Sequence, residues 1–143
     1  MSSKSARHRA REFALQGIYQ WQVGGHDEAA IEAHTMSVNG FDKADAELYR
    51  LLLRGTMNDA EALQATVQQF IDRPWQEMSP IERGVLLLGA YEFKHHPETP
   101  YRVVLNEAIE LANEYGGTDG HKFVNGVLDK LAIELRPHEA KPR

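Results

Sequence analysis

The chain has 143 residues with 42% apolar content, which is typical of one domain with enough chain to bury a single core. It contains no cysteine, so disulfides, thiolate nucleophiles and zinc sites built on cysteine are excluded. The net charge of −5 argues mildly against a protein coated in nucleic acid, and no apolar run approaches the roughly 20 residues that a membrane helix needs.

The first eleven residues form a basic arm on an otherwise acidic chain. They hold four lysines and arginines without any acid, a local charge of +4, whereas the rest of the chain holds 12 bases against 21 acids. The arm leads into a predicted helix over Ala6–Val23, where Ala10, Phe13 and Ala14 have helical spacing. The helix dipole opposes positive charge at this end. A frayed terminus or a mitochondrial-type presequence are alternatives, but the long apolar stripe favours an integral helix.

Short helices separated by breakers are predicted for the next part of the chain. A second helix is predicted over Asp27–Met36, with His34 among its inward residues. The residues predicted to break or cap helices here are Gly24-Gly25, Asn39-Gly40, Asp42, Asn58 or Asp59, and Pro74. Asp42 is predicted to cap the third helix directly.

The clearest local signal is Ser79-Pro80-Ile81-Glu82. Serine at the N-cap, proline at the first helical position and glutamate at the third form a capping box. The helix that follows, through Phe93, is apolar on nearly every side, which is typical of the central helix of a bundle.

A tight helical hairpin is predicted over Asn106–Leu131, and the rest of the chain is organised around it. The pair Gly116-Gly117 is predicted to form a left-handed turn, and Asp119 to cap the second helix. The apolar positions with helical spacing are Ala108, Ile109, Leu111 and Ala112 on the first helix, then Phe123 or Val124, Val127, Leu128 and Leu131 on the second. The turn carries more aromatic and charged residues than a plain connection needs.

The fold class that follows is all-α, a single-domain bundle of about seven helices over residues 1–143. No segment shows the alternation of a strand, and no repeat of solenoid length occurs. Arg136-Pro137 is predicted to close the last helix and to leave a short polar tail, residues 137–143.

No motif predicts a catalytic site, a metal site or a cofactor. Glu92 and His95 have the Glu-x-x-His spacing of di-iron bundles, but no second copy of that motif occurs. We interpret the pair as a polar C-terminal turn with the histidine facing the helix dipole. His34 lies between apolar positions and is interpreted as a core histidine.

Binding is the remaining class of function. Cations and exposed aromatic rings hold single-stranded nucleic acid through phosphate contacts and base stacking. The arm provides the cations, and Tyr115 and Phe123 are candidates for stacking. Their spacing alone is equally compatible with two core side chains.

Three stretches carry a family resemblance: ARHRAREFALQGIYQWQ at the N-terminus, ERGVLLLGAYE in the centre and PYRVVLNEAIELANEYGGTDGHKFVNGVLDKLA near the C-terminus. They resemble the NusB family of transcription antitermination proteins over almost the whole chain. The resemblance implies two packed helical halves and binding to the boxA element of nascent ribosomal RNA leaders. It also implies that the ribosomal protein NusE is a partner and that the chain works in an RNA polymerase antitermination complex. A reducing compartment, most simply a bacterial-type cytoplasm, is the expectation from the absence of cysteine and of a membrane or signal segment.

The resemblance also implies two sets of site residues. The RNA-binding set is Lys4, Arg7, His8, Arg9 and Arg11 from the arm, with Tyr115, Asp119, Lys122 and Phe123 from the hairpin turn. The set that binds the partner protein is Tyr19, Val23 and Glu82. His8 replaces a residue that is more often arginine, so we expect one phosphate contact fewer near pH 7. Asp119 is expected to cap the last helix, to accept hydrogen bonds from RNA, or both.

Other functions stay open at this point. A helical protein-interaction module with an incidental basic arm is the alternative from a different class, and an enzyme is disfavoured. Some ribosomal RNA cytosine methyltransferases carry a related N-terminal domain, but this chain ends where their catalytic domain would begin. Family members also differ in self-association, which leaves a homodimer open.

Overall fold

The computed structural model describes residues 4–117 and 120–141. It confirms the predicted all-α fold with seven helices in this part of the chain. The helices are α1 (Ala6–Gly24), α2 (Glu28–Met36), α3 (Ala46–Asn58), α4 (Ala60–Gln68), α5 (Pro80–His95), α6 (Tyr101–Tyr115) and α7 (Gly120–Leu135), with 3₁₀ turns at Phe41–Lys43 and Trp75–Glu77. None of the described helices combines the length and the apolar character that crossing a membrane requires.

The chain divides into two compact units, Met1–Asn58 and Asp59–Arg143. In the first unit, α1 packs closely against α2 and α3. Gly17 marks this close approach, because a Cβ atom there would lie 2.9 Å from side-chain carbons of both Ile31 and Leu53. Such spacing leaves no room for a larger residue without movement of its neighbours.

The prediction that His34 faces the core is wrong, since this side chain is exposed. The buried face of α2 instead carries Ile31, Glu32 and Thr35. A carboxylate is tolerated on that face because the guanidinium of Arg54 donates two hydrogen bonds to Glu32, at 2.8 and 2.9 Å. Periodicity of apolar residues alone does not reveal a polar residue that is buried with its partner.

The predicted cap at Asp42 is also wrong. Residues 41–43 form a 3₁₀ turn, which buries the ring of Phe41, and α3 begins three residues later. Asp45 caps α3, because its Oδ1 atom accepts a hydrogen bond of 3.0 Å from the backbone N–H of Leu48.

In the second unit, α5 is the central helix, as predicted. All ten residues from Gly84 to Phe93 are buried. The predicted capping box is confirmed: the N–H of Glu82 donates to Ser79 Oγ at 3.1 Å, and the N–H of Ser79 donates to Glu82 Oε1 at 3.1 Å. These two bonds satisfy backbone donors that a helix start leaves without an intrahelical partner.

Helices α5 and α7 run in the same direction, with their starts side by side and their ends side by side. At the start, a Cβ atom on Gly120 would lie 3.6 Å from Glu82 Oε2. Midway, a Cβ atom on Gly89 would lie only 2.9 Å from Leu128 Cδ2. At the end, Arg136 reaches from α7 to the last turn of α5. Helix α6 connects the two in the opposite direction.

Arg136 joins the C-terminal ends of these helices. It is buried, and its guanidinium donates hydrogen bonds to backbone carbonyls and to one carboxylate. The acceptors are the carbonyls of Glu92 at 3.2 Å, Phe93 at 2.7 Å, His96 at 2.8 Å and Thr99 at 3.0 Å, and the Oε1 atom of Glu139 at 2.7 Å. The carbonyl of Glu92 also accepts a hydrogen bond from the N–H of His96, and that of His96 from the N–H of Thr99, both at 3.0 Å. Phe93 differs, because the residue four positions later is Pro97, which has no N–H to donate to its carbonyl.

The predicted polar tail is not free where it is described. Glu139 accepts a hydrogen bond of 3.1 Å from the N–H of Tyr101, and Ala140 is buried. The backbone hydrogen bond from Tyr101, followed by that from Arg136, lowers the pKa of Glu139. The chain after α7 therefore folds back onto the start of α6.

The predicted left-handed turn at Gly116-Gly117 is wrong. Gly116 is extended, with φ −91° and ψ −179°, and its N–H donates to the Ala112 carbonyl at 2.8 Å. Left-handed glycines are found instead at Gly25, which ends α1 as predicted, and at Gly40. The predicted cap at Asp119 lies outside the described residues.

The capping box allows a direct test. We expect Ser79→Ala to lower the free energy of unfolding by about 1 kcal/mol, because the N–H of Glu82 loses its acceptor. Ser79→Thr, which keeps the hydroxyl, is the matched control and should unfold almost as the parent does. Chemical denaturation measures both, and an unchanged midpoint for Ser79→Ala would show that the cap contributes nothing.

The Glu32–Arg54 pair predicts a pH dependence of stability. Hydrogen bonds from Arg54 lower the pKa of Glu32 and outweigh its burial, which raises it. An acid with a lowered pKa adds stability above its unfolded value of about 4.3, and that stability is lost as the pH falls through the folded-state pKa. We expect Glu32→Gln to cost about 1 kcal/mol at neutral pH and less in acid.

The control for this measurement is Glu98→Gln, since Glu98 is exposed in the connection between α5 and α6. Unfolding of both variants is followed from neutral to acidic pH. If the difference in unfolding free energy between Glu32→Gln and the parent stayed constant over this pH range, the assigned ion pair would be contradicted.

Candidate nucleic-acid interface

The basic arm is mostly the first turns of α1. The helix starts at Ala6, where Ser5 caps it by accepting a hydrogen bond of 3.0 Å from the N–H of His8 at its Oγ atom. Most of the basic residues are therefore held on a rigid helix, and Lys4 precedes the cap. The alternative of a frayed terminus does not describe residues 6–11.

The five basic residues predicted for the arm differ in exposure. Lys4 and Arg7 are exposed, and Arg9 is partly exposed. His8 and Arg11 are buried, with 5% and 2% of their surface exposed. Arg11 is engaged within the folded chain, and so little exposed surface leaves no room for a phosphate. The prediction that both contact RNA directly is therefore not supported by their position, and we assign them a structural role.

The exposed cations are partly neutralised by acids of the same unit. The Nζ atom of Lys4 lies 2.6 Å from Glu12 Oε2, and Arg7 Nη1 lies 3.8 Å from Asp45 Oδ2. His8 Nε2 is 3.9 Å from the same Glu12 oxygen. No ion pair or side-chain hydrogen bond of Arg9 is found within residues 4–117 and 120–141, so Arg9 offers its donors to solvent.

The hairpin turn of the second unit presents a different chemistry. Tyr115 ends α6 and is half-buried, Lys122 is exposed, and Phe123 is half-buried. The two rings are thus neither core nor fully exposed. His121 has a buried Nδ1 atom without a hydrogen-bond partner in the described chain. Asp119, which completes the predicted set, lies outside the described residues.

Arg73 is a neighbour of Phe123 that the sequence pattern does not reveal. Its guanidinium carbon lies 4.1 Å from the centroid of the Phe123 ring. The two residues are fifty positions apart, and Arg73 lies in an irregular segment before Pro74, where no periodicity predicts a direction. Only an arginine next to a proline break is visible in the sequence.

The residues predicted to bind a protein partner are exposed in part. Tyr19 and Val23 are 41% and 54% exposed and lie four residues apart on α1, so they share a face. Glu82 lies in the second unit and is partly exposed. One of its carboxylate oxygens is already an acceptor in the capping box.

The Glu92–His95 pair does not form a metal site. Glu92 is buried, whereas the side chain of His95 is 40% exposed, and its Nε2 atom lies 2.8 Å from Asp59 Oδ2. Lys94 Nζ lies 2.9 Å from the same oxygen. Burial raises the pKa of Asp59, but the hydrogen bonds from His95 and Lys94 outweigh it and hold the pKa below its ordinary value. The histidine therefore belongs to an ion-pair cluster.

The fold and these surfaces define a small all-α protein that presents cations and aromatic rings. A family model described as the NusB family matches residues 8–133. Two curated relatives, each called "Transcription antitermination protein NusB", are 62% identical over 139 residues in Aromatoleum aromaticum and 60% identical over 142 residues in an Azoarcus species. These alignments cover 97% and 99% of this chain, and 96% and 92% of the relatives. The chain belongs to the NusB family.

Solved structures agree with this assignment. NusB of T. maritima has a TM-score of 0.82 at 28% identity, over 92% of this chain and 94% of that one. A structure of the antitermination factors NusB and NusE in complex with dsRNA has a TM-score of 0.77, over 89% and 96%. At 20% identity, the second comparison shows the fold alone.

Proposed function

We propose that this chain is a non-catalytic transcription antitermination factor. It binds the boxA element of nascent ribosomal RNA together with NusE, and it supports read-through by RNA polymerase in the bacterial cytoplasm. Similarity over nearly the whole chain to relatives named as transcription antitermination proteins carries the proposal. A protein with the same fold was solved with NusE and dsRNA, which supports NusE as the partner and RNA as the ligand. The boxA element is proposed on the family resemblance.

The exposed and partly exposed cations of the basic arm bind phosphates in this proposal. The three residues are Lys4, Arg7 and Arg9. The Arg7–Asp45 pair is exposed and so contributes only about 0–1 kcal/mol, which means that replacing its carboxylate by a phosphate costs little. Lys4 pairs with the buried carboxylate of Glu12, so moving Lys4 to a phosphate costs more. His8 and Arg11 are buried in the first turns of α1, and the proposal assigns them no phosphate contact.

In this proposal, the residues of the hairpin turn contact the bases of the RNA and so contribute to sequence preference. Lys122 adds a phosphate contact, while Tyr115 and Phe123 present partly exposed rings. Base stacking on aromatic side chains contributes about 1–3 kcal/mol per base in single-stranded complexes. Asp119 is retained in the proposed RNA-binding set on the resemblance alone.

The residues assigned to NusE binding are Tyr19 and Val23 on the exposed face of α1 and, in the second unit, Glu82. An exposed tyrosine beside an exposed aliphatic residue is the composition of an interface anchor. A helical interaction module without specific RNA binding is the competing function, and RNA titration separates the two.

The proposed phosphate contacts predict a salt dependence. Log affinity for single-stranded RNA falls with log salt by about 0.7 per phosphate neutralised. Changing Lys4, Arg7 and Arg9 together to Gln should therefore reduce the slope by about 2, for boxA and scrambled RNA alike, because phosphate contacts carry no sequence information. The parent protein should prefer boxA, more strongly when NusE is present. Equal affinity of the parent for both RNAs would overturn the proposed function.

The control for this titration neutralises three other exposed lysines, Lys43, Lys130 and Lys141, and so changes the net charge equally. This variant should keep the parental slope. If it loses as much slope as the arm variant, general charge is responsible and the proposed phosphate contacts are wrong.

The protein surface predicts a separate effect. We expect Tyr19→Ala to weaken NusE binding by about 2 kcal/mol, the size typical of an interface anchor, while RNA binding by the chain alone stays unchanged. Met36→Ala is the control, since Met36 is 58% exposed on α2. Glu82→Gln tests the third residue without removing the acceptor of the capping box. Calorimetry with NusE and with RNA measures both effects, and equal losses in the two titrations would refute the division into separate surfaces.

A further inference from the structure

One face of the Phe123 ring is covered in the folded protein. The guanidinium of Arg73 lies over that face, 4.1 Å from its centroid. This is well inside the distance of about 6 Å within which a cation and an aromatic ring attract each other. A base therefore meets the arginine before it meets that face of the ring.

The guanidinium of Arg73 is held by neighbouring residues and is still accessible to solvent. Its Nε atom donates a hydrogen bond of 3.3 Å to Asp72 Oδ1, and Pro74 restricts the backbone of Arg73. Even so, 43% of the Arg73 side chain stays exposed. The side chain thus places a planar, positively charged group over the ring of Phe123 and leaves part of its own surface open to solvent.

We infer that Arg73 is an RNA-contact residue on which an unpaired base stacks. The base, the guanidinium and the ring of Phe123 then form three layers. The inference rests on the proposed function, because it requires RNA at the hairpin turn. Guanidinium planes accept stacked bases as aromatic rings do, and the ring beneath keeps this plane in position.

A base fits this position better than a phosphate. The carboxylate of Asp72, whose side chain is 82% exposed, lies beside the guanidinium and repels an anion. A base carries no charge, and adenine, cytosine and guanine also have amino groups that can donate hydrogen bonds to a carboxylate. Direct stacking on the covered face of Phe123 would first require the arginine to leave the ring.

The experiment separates the plane of Arg73 from its charge. Arg73→Lys keeps the charge and removes the plane. We expect it to bind boxA RNA about five- to tenfold more weakly, within the range for loss of one stacked base, with an unchanged salt slope. Phe123→Leu should have a similar effect, and the double variant should lose little more, because both residues belong to one stack.

The stacked base is located with boxA RNAs that each lack one base. At one position, removal of the base should weaken RNA binding by the parent protein. Removal of the same base should not weaken RNA binding by Arg73→Lys any further, because this variant has already lost the stacking contact. Arg102→Lys is the matched control, since Arg102 also lies over a ring, 5.4 Å from the centroid of Tyr101. That pair lies at the opposite end of α6 from the turn, about 20 Å away by the helical rise.

Three results would overturn the inference. The first is that Arg73→Lys binds boxA RNA as tightly as the parent does. The second is that the loss of affinity from Arg73→Lys adds to the loss from every abasic site. The third is that Arg73→Lys binds more tightly, which would mean that the arginine shields the ring. In each case the preference of the parent for boxA would leave the proposed function standing. Equal binding of the parent to boxA and scrambled RNA would instead remove the proposed function, whatever Arg73 does.

Discussion

The second unit depends on one buried guanidinium. Arg136 fills the gap where α5 ends and satisfies carbonyls from the end of that helix and from the connection to α6. A lysine has no fork of donors to do the same. A buried carbonyl without a partner costs about 1–3 kcal/mol. The carbonyl of Phe93 has no N–H four residues later, because that residue is Pro97, and it obtains its donor from Arg136.

The arrangement of the hairpin turn follows from that constraint. Since the ends of α5 and α7 are joined by Arg136 and their middles touch at Gly89, their starts must also lie side by side. The side-by-side starts bring the capping box next to the first turn of α7, where Lys122 and Phe123 project. A structural interaction at one end of the helices therefore positions binding residues at the other.

Much of the fold was predictable because local rules act there without competition. The capping box at Ser79 and the end of α1 at Gly24-Gly25 need only their own neighbours. Partners distant in sequence caused the errors. Glu32 is buried because of Arg54, and Arg73 lies on Phe123 fifty positions away. The candidate site was predictable as a set of residue types, but the exposure of each residue was not.

The ion pairs of the arm bear on how an acidic chain selects one RNA. Unpaired cations bind every phosphate backbone, whereas the partners of Lys4 and Arg7 compete with phosphate and lower nonspecific affinity. Because phosphate contacts then contribute less to the binding free energy, base stacking and the protein partner contribute more to the selectivity for one RNA. A net charge of −5 is then compatible with RNA binding, because repulsion from the body of the protein penalises every RNA while specific contacts compensate for only one.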